Sequence, residues 1–282
     1  MCPMHPDYTQ EKPGTCPRCG MALVVGRPFD MRNYRLDVRT VPNLIKPGEK
    51  VTLQLSVLHP GTGQSVKTFE PVHEKLYHLF VISQDMEFFE HIHPDQQPDG
   101  TWSVGLTLPR AGHYKIFSDF VPAGGSAQFL AYPLATAGYS GDVFADTARL
   151  VPDTVASKTV GDLTATVRYD PTPMVAALHG HMTFHLTRAG SDEPATDLQT
   201  YLGAFGHMLI VSEDTVDYVH SHPLDMLSSD ANLDTLRGGP DVIFEGLMPK
   251  PGRYRAWAQF RYHDIVHTFP FTFQVLDLGG RS

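Results

Sequence analysis

The sequence predicts an all-β protein with two tandem β-sandwiches behind a small cysteine-containing module, and three observations support this fold class. Runs such as 51–57, 114–120 and 269–275 alternate apolar and polar residues with the period of a β-strand. Glycine and proline clusters separate these runs, and helical periodicity is nearly absent. The same motifs also occur twice along the chain, which indicates an internal duplication.

Composition sets the broad class of the protein. A chain of 282 residues is long enough for about two globular domains and a smaller unit. Its apolar fraction of 41% and charged fraction of 19% are typical of a folded protein, and no segment approaches the roughly 18 apolar residues of a membrane helix. The formal charge of -9 and the lack of a basic cluster argue against nucleic acid as a partner.

Residues 1–27 form the first predicted unit. All three cysteines, Cys2, Cys16 and Cys19, lie within the first twenty residues, and an odd number at this spacing does not make a disulfide framework. A segment this short has no hydrophobic core and needs a metal or a disulfide to hold its shape. The sequence therefore predicts a metal-binding knuckle.

The donor types of this knuckle indicate a soft ion. Cys16 and Cys19 form a Cys-x-x-Cys turn that Gly20 allows to close, and a Cys₃His set is completed by Cys2 and His5. Further soft thioether donors are Met4 and Met21. Thiolates favour Cu(I) but also bind Zn²⁺ readily, so the predicted cofactor is a copper or zinc ion.

The pattern Cys-Pro-Met-His-Pro, followed by Pro-Gly-x-Cys-Pro-x-Cys-Gly-Met, resembles a known family. It looks like the heavy-metal-binding domain of bacterial copper-exporting ATPases and of adaptor subunits in copper/silver efflux pumps. The resemblance covers about 25 residues. It implies binding of a metal ion and a metal-transport protein as a partner.

The internal repeat divides the rest of the chain. The segment from His78 to Asp85 is matched by the segment from His207 to Asp214. In both copies a His-x-His-Pro motif begins 13 positions after the first histidine of this segment. We therefore predict a first β-sandwich at 33–136 and a second at 160–277, separated by a segment rich in small, polar and proline residues.

The repeated histidines are candidate metal ligands in both copies. His91 and His93 are two residues apart in a strand, so their side chains lie on one face, and His78 is the natural third ligand. The alternative is that these histidines cap turns or bond to backbone carbonyls and were inherited twice by duplication.

The C-terminal copy offers more donors than the first. Its triad is His207, His220 and His222, and either His263 or His267 could complete a four-ligand site. The sequence therefore favours the C-terminal copy as the nitrogen-ligated metal site.

The repeated motifs His-Leu-x-Val-x-Ser-x-Asp and His-x-His-Pro, with a late Val-His-Thr, also resemble β modules of many bacterial secreted or membrane-anchored proteins. This resemblance implies immunoglobulin-like sandwiches in a periplasmic or secreted setting. No export signal precedes Cys2, so the sequence predicts a cytoplasmic protein unless the chain is a trimmed mature form.

Catalytic motifs are absent from the sequence. No Gly-x-Ser-x-Gly, His-Glu-x-x-His, phosphate-binding loop or dinucleotide fingerprint occurs. We therefore expect a non-catalytic protein of soft-metal sequestration, delivery or resistance. The alternatives are a copper- or zinc-dependent enzyme that uses a His-x-His site and a zinc-stabilised interaction module.

Overall fold

A computed structural model was used for the fold and the candidate sites. Contacts divide the chain into two compact units, residues 1–147 and residues 148–282. All regular secondary structure among the described residues is β-strand, and no helix capable of crossing a membrane occurs among them. The structure describes residues 2, 8, 10, 12–23, 34–142, 148–225, 227, 232–277 and 279.

Among its described residues, the first unit has nine strands in two sheets. One sheet has the order β1-β2-β7-β6, and the other has the order β3-β8-β4-β5 with β9 paired to β8. The strands are β1 (Arg35–Val41), β2 (Lys50–Leu58), β3 (Phe69–Glu70), β4 (His78–Ser83), β5 (Phe89–Ile92), β6 (Asp95–Gln96), β7 (Trp102–Thr107), β8 (His113–Pro122) and β9 (Gln128–Ala135).

The second unit repeats this two-sheet arrangement, with eleven strands in the part that the structure describes. One sheet has the order β10-β11-β13-β18; the other has β12-β20-β19-β14-β17, with β15 paired to β16 and β19. The strands are β10 (Ser157–Val160), β11 (Leu163–Asp170), β12 (Met174–Val175), β13 (His179–Arg188), β14 (Leu198–Gln199), β15 (His207–Ser212), β16 (Tyr218–Ser221), β17 (Arg237–Gly238), β18 (Asp241–Leu247), β19 (Gly252–Tyr262) and β20 (Ile265–Leu276).

Each unit buries an apolar core between its two sheets. In unit 1, Leu53 and Leu55 of β2 meet Leu79 and Val81 of β4 in a single cluster. The alternation of buried and exposed residues along β2 matches the alternation in the sequence, because successive side chains of a strand point to opposite faces. The predicted all-β fold of tandem sandwiches is therefore confirmed.

A tyrosine corner occurs at the same place in both units. The Tyr114 hydroxyl donates to the Arg110 carbonyl at 3.0 Å, and the Tyr254 hydroxyl donates to the Lys250 carbonyl at 2.9 Å. A tyrosine that bonds back to the backbone a few residues upstream is a hallmark of immunoglobulin-like sandwiches. Its presence in both units shows that the duplication extends to hydrogen-bonding detail.

Candidate metal centres

The cysteine knuckle is a short hairpin. Thr15 and Ala22 form an antiparallel bridge, and Cys16 lies inside it, with its amide donating to the Met21 carbonyl at 2.8 Å. The Gly20 amide returns to the Cys16 carbonyl at 2.8 Å, with φ of 71° at Gly20. This left-handed conformation is favourable for glycine, so the Cys-Pro-Arg-Cys-Gly motif fixes how closely the two cysteines approach.

The three cysteine sulfurs converge on one point. Cys2, Cys16 and Cys19 have Sγ atoms that all lie within 4.8 Å of one another, and the Cys2 and Cys19 sulfurs are 3.5 Å apart. Two sulfurs bound to one tetrahedral ion at about 2.3 Å stand about 3.8 Å apart, so the set fits a thiolate-bound metal. Cys2 and Cys16 are buried and Cys19 is half-buried.

Electrostatics disfavour a free thiolate at Cys19. The hydrogen bond with Cys2 is the main cause, and burial adds to it; together they raise the pKa of the Cys19 thiol far above its usual range. A bound cation reverses this preference, because it stabilises the deprotonated sulfurs that it ligates. The arrangement therefore suits exchange of thiol protons for a metal ion.

The remaining predicted ligands of the knuckle have different positions. Met4 and His5 lie outside the described residues. The Met21 side chain packs against Val72 and Val121, in a small apolar cluster that Cys19 also contacts. Met21 therefore attaches the knuckle to the first sandwich through apolar packing.

A serine-aspartate turn sets the register of the histidines. In unit 1, Ser83 Oγ donates to Asp85 Oδ1 at 2.5 Å and accepts the Phe88 amide at 2.9 Å. In unit 2, Ser212 makes the same two bonds, at 2.5 Å to Asp214 and 2.9 Å from the Asp217 amide. These turns close the hairpins whose strands carry the histidines, so the repeated Ser-x-Asp motif has a positioning role that the sequence analysis missed.

The N-terminal triad brings three ring nitrogens together. His78 Nδ1 lies 3.0 Å from His91 Nε2 and 3.2 Å from His93 Nε2. His78 is fully buried, whereas His91 and His93 are half-buried. The other His78 nitrogen, Nε2, lies 2.9 Å from the Val72 carbonyl oxygen, and the Phe80 ring stacks on His91 with centroids 4.2 Å apart.

The C-terminal triad is also assembled. The ring centroids of His207 and His220 are 5.8 Å apart, those of His207 and His222 are 4.8 Å apart, and those of His220 and His222 are 4.4 Å apart. The Tyr201 ring lies 5.4 Å from that of His207. The three rings of the C-terminal triad therefore lie near one another, and metal binding at either triad stays a prediction.

The two extra histidines of the C-terminal copy contact a different group. His263 Nδ1 lies 2.6 Å from Asp162 Oδ2, and His267 Nε2 lies 3.1 Å from Asp162 Oδ1. His267 also donates from Nδ1 to the Val160 carbonyl at 3.0 Å. These contacts lead to the β10–β11 turn, so the structure groups His263 and His267 with Asp162 and not with the His207 triad. The hydrogen bond from His263 lowers the pKa of Asp162.

Comparison with known proteins agrees with the cysteine geometry and with the duplication. Residues 1–24 match the family model described as a heavy metal binding domain, which confirms the resemblance drawn from the sequence. Fold and site thus define a tandem β-sandwich protein with an N-terminal heavy-metal-binding domain. Residues 31–137 and 158–277 match the model of the family described as Domain of unknown function (DUF8832), and the chain belongs to this family.

The solved structures to which this chain is similar include bacterial adhesins. The Escherichia coli adhesin FdeC is 12% identical with a TM-score of 0.26, covering 86% of this chain and 66% of its own. The Yersinia pseudotuberculosis adhesin InvE is 14% identical with a TM-score of 0.23, covering 86% of this chain and 60% of its own. This chain therefore spans less than two thirds of either adhesin. No curated protein matches the sequence.

Proposed function

We propose that the protein binds a soft heavy-metal ion, copper in its monovalent state, at Cys2, Cys16 and Cys19. The observation that carries the proposal is the convergence of three sulfurs within 4.8 Å of one another. Thiolates are the protein ligands that soft ions prefer, and Cu(I) is a softer ion than Zn²⁺, so three converging sulfurs favour copper in its monovalent state. The bound ion would supply the positive charge that keeps the three sulfurs deprotonated.

The surroundings of the sulfurs support a holding and delivery role. The buried Cys2 and Cys16 keep their side of the site away from water, while the half-buried Cys19 leaves room for an incoming ligand. A soft ion can then pass between proteins by exchange of one thiolate at a time, without oxidation or reduction. We therefore propose that the protein acts in metal sequestration, delivery or resistance, with a metal-transport protein as its partner.

Metal analysis of the purified 282-residue chain tests this proposal. The parent should bind one Cu(I) tightly under reducing conditions, and Cys16→Ser with Cys19→Ser should abolish that binding, because two of three sulfur donors are lost. As a matched control, His220→Ala with His222→Ala should leave this ion in place. An unchanged Cu(I) stoichiometry in the cysteine double variant would contradict the proposal.

Competition identifies the metal. Cu(I) should displace Zn²⁺ from the cysteine knuckle, and X-ray absorption of the Cu(I)-loaded chain should show sulfur neighbours. A module that keeps Zn²⁺ under an excess of Cu(I) would instead be a zinc-stabilised knuckle, and the assignment to copper would be wrong.

A further inference from the structure

The hydrogen bond between His78 and Val72 determines which nitrogen of His78 is available to a ligand. A backbone carbonyl only accepts, so the 2.9 Å contact places the ring proton of neutral His78 on Nε2. Nδ1 of the same ring then carries a lone pair, and it faces His91 and His93. A ligating histidine in proteins almost always donates its other ring N–H to a carbonyl or carboxylate in this way.

The separations between the nitrogens match those of ligands on one metal ion. His78 Nδ1 lies 3.0 Å from His91 Nε2 and 3.2 Å from His93 Nε2. Two imidazole nitrogens on a tetrahedral ion at about 2.0–2.1 Å stand about 3.3 Å apart. Two ring N–H groups cannot both form a strong hydrogen bond to the single Nδ1 lone pair of His78. A cation at the centre instead accepts electron density from all three rings.

We propose that His78, His91 and His93 form a second metal centre, which binds one borderline divalent cation, Zn²⁺ or Cu²⁺. Its donors are nitrogens only, so it selects a harder ion than the three sulfurs do. Three ligands leave a fourth coordination position for a water molecule or another ligand. This centre goes beyond the proposed function, because it uses none of the cysteine ligands.

The sheet around the triad holds the rings in place. In the β4–β5 register Phe80 stands opposite His91, and His78 and Phe80 lie on the same face of β4 because they are two residues apart. The Phe80 ring, 1% exposed, forms a rigid base under His91. Ligands supported by packed side chains lose little freedom on binding, so the centre is organised before the ion arrives.

The cysteine knuckle rests on the same face of this sheet. Asp119 pairs with His78, and Val121, two residues further along β8, contacts Met21 of the knuckle. Two residues along a strand correspond to about 7 Å. Val72 also joins the two sites, because its side chain packs with Met21 and its carbonyl oxygen bonds to His78. The fold thus positions a sulfur centre and a nitrogen centre side by side in unit 1.

Titration of the Cys16→Ser and Cys19→Ser variant with Zn²⁺ isolates the nitrogen centre. This variant should still bind Zn²⁺, and adding His91→Ala and His93→Ala should weaken Zn²⁺ binding at the tightest site at least about 100-fold. The reason is that mutating even a residue that only hydrogen-bonds to a metal ligand lowers metal affinity about 10- to 100-fold. The matched control adds His220→Ala and His222→Ala and should leave the tightest site unchanged. Cu²⁺ in the cysteine variant should show nitrogen hyperfine structure by electron paramagnetic resonance.

The outcomes separate this centre from the proposed function. If the four-fold variant with His91→Ala and His93→Ala titrates like its cysteine-variant background, the nitrogen centre does not exist, whatever the cysteines bind. A milder variant, His93→Asn, and circular dichroism of each metal-free protein check that loss of binding is not loss of folding. The proposal would also be wrong if tight Zn²⁺ binding were lost on His220→Ala with His222→Ala and kept on His91→Ala with His93→Ala.

Discussion

The two sandwich units share one scaffold but surround their histidine triads differently. Both have a serine-aspartate turn and a tyrosine corner with nearly equal hydrogen-bond lengths. Behind the triad, however, Phe80 in unit 1 corresponds to Leu209 in unit 2, since each stands opposite the first histidine of the His-x-His pair. The comparison indicates that the duplicated chain has kept the turns that set strand register while the groups around the imidazoles diverged.

The largest expected effect tests whether the two scaffolds are equivalent. Phe120 and Phe260 occupy matching core positions and are both 0% exposed. Phe120→Ala and Phe260→Ala should each cost about 3–5 kcal/mol of unfolding free energy, through lost burial and the cavity left behind. Denaturant unfolding measures this, with Ile265→Ala, at a residue 59% exposed, as a nearly neutral control. Strongly unequal costs would mean that the cores have also diverged.

The tyrosine corners provide a smaller test of the same equivalence. Tyr114→Phe and Tyr254→Phe remove one hydroxyl each and leave the Arg110 or Lys250 carbonyl without that donor. Each variant should lose about 1 kcal/mol, the usual net value of one such hydrogen bond. Thermal unfolding checks the value, and a loss in only one unit would limit the structural role of the corner to that copy.

Exchanging the residues behind the triads should sharpen the contrast between them. Phe80→Leu removes the ring stacked on His91 and should weaken Zn²⁺ binding at the His78 triad about 2- to 10-fold, because an aromatic pair is worth about 0.5–1.5 kcal/mol. The reciprocal Leu209→Phe in unit 2 leaves that triad intact and is the control. Zn²⁺ titration with equal affinity in parent and Phe80→Leu would show that the stacked ring does not contribute.

The smallest effect concerns the acidic residues of the turns. Burial raises the pKa of Asp85, but bonds from Ser83 and Glu87 and the Arg110 guanidinium outweigh it, so the pKa lies below its usual value. Stability from this carboxylate is therefore present above about pH 3.9 and is lost as the pH falls through the lower folded-state pKa.

Asp85→Asn should accordingly lower the melting temperature slightly at pH 7, and the difference from the parent should vanish in acid. Asp214→Asn should behave alike, because Ser212 and the Lys250 ammonium outweigh burial and lower the pKa of Asp214. Both side chains are about half exposed, so 1 M salt should reduce the effect. Melting curves as a function of pH test this, and a difference that persists in acid would contradict it.

Much of the fold follows from the periodicity of the sequence. The predicted runs 51–57, 114–120 and 269–275 lie within β2, β8 and β20, because these strands bury one face and alternate accordingly. The fully buried strand β4, with His78 at its start, does not alternate. It could be located only by the repetition of its motif in β15.

The sites were less predictable because their geometry depends on contacts distant in sequence. Sequence spacing indicated the three cysteines and both His-x-His pairs, since a knuckle and a strand impose short-range order. The spacing of His263 and His267 suggested ligands, but the structure pairs them with Asp162, about 100 residues earlier. The carbonyl of Val72 was not predictable at all, because any residue type supplies a backbone oxygen.

The contact of Met21 with Val72 and Val121 has a consequence for the behaviour of the protein in solution. The knuckle packs on Val121, on the outer face of β8, and on the neighbouring Val72, and both valines are buried beside it. A short cysteine segment without its ion loses its shape, and it then no longer shields these side chains. Exposed apolar surface on a sheet promotes self-association, so metal starvation should make this protein aggregate before its sandwiches unfold.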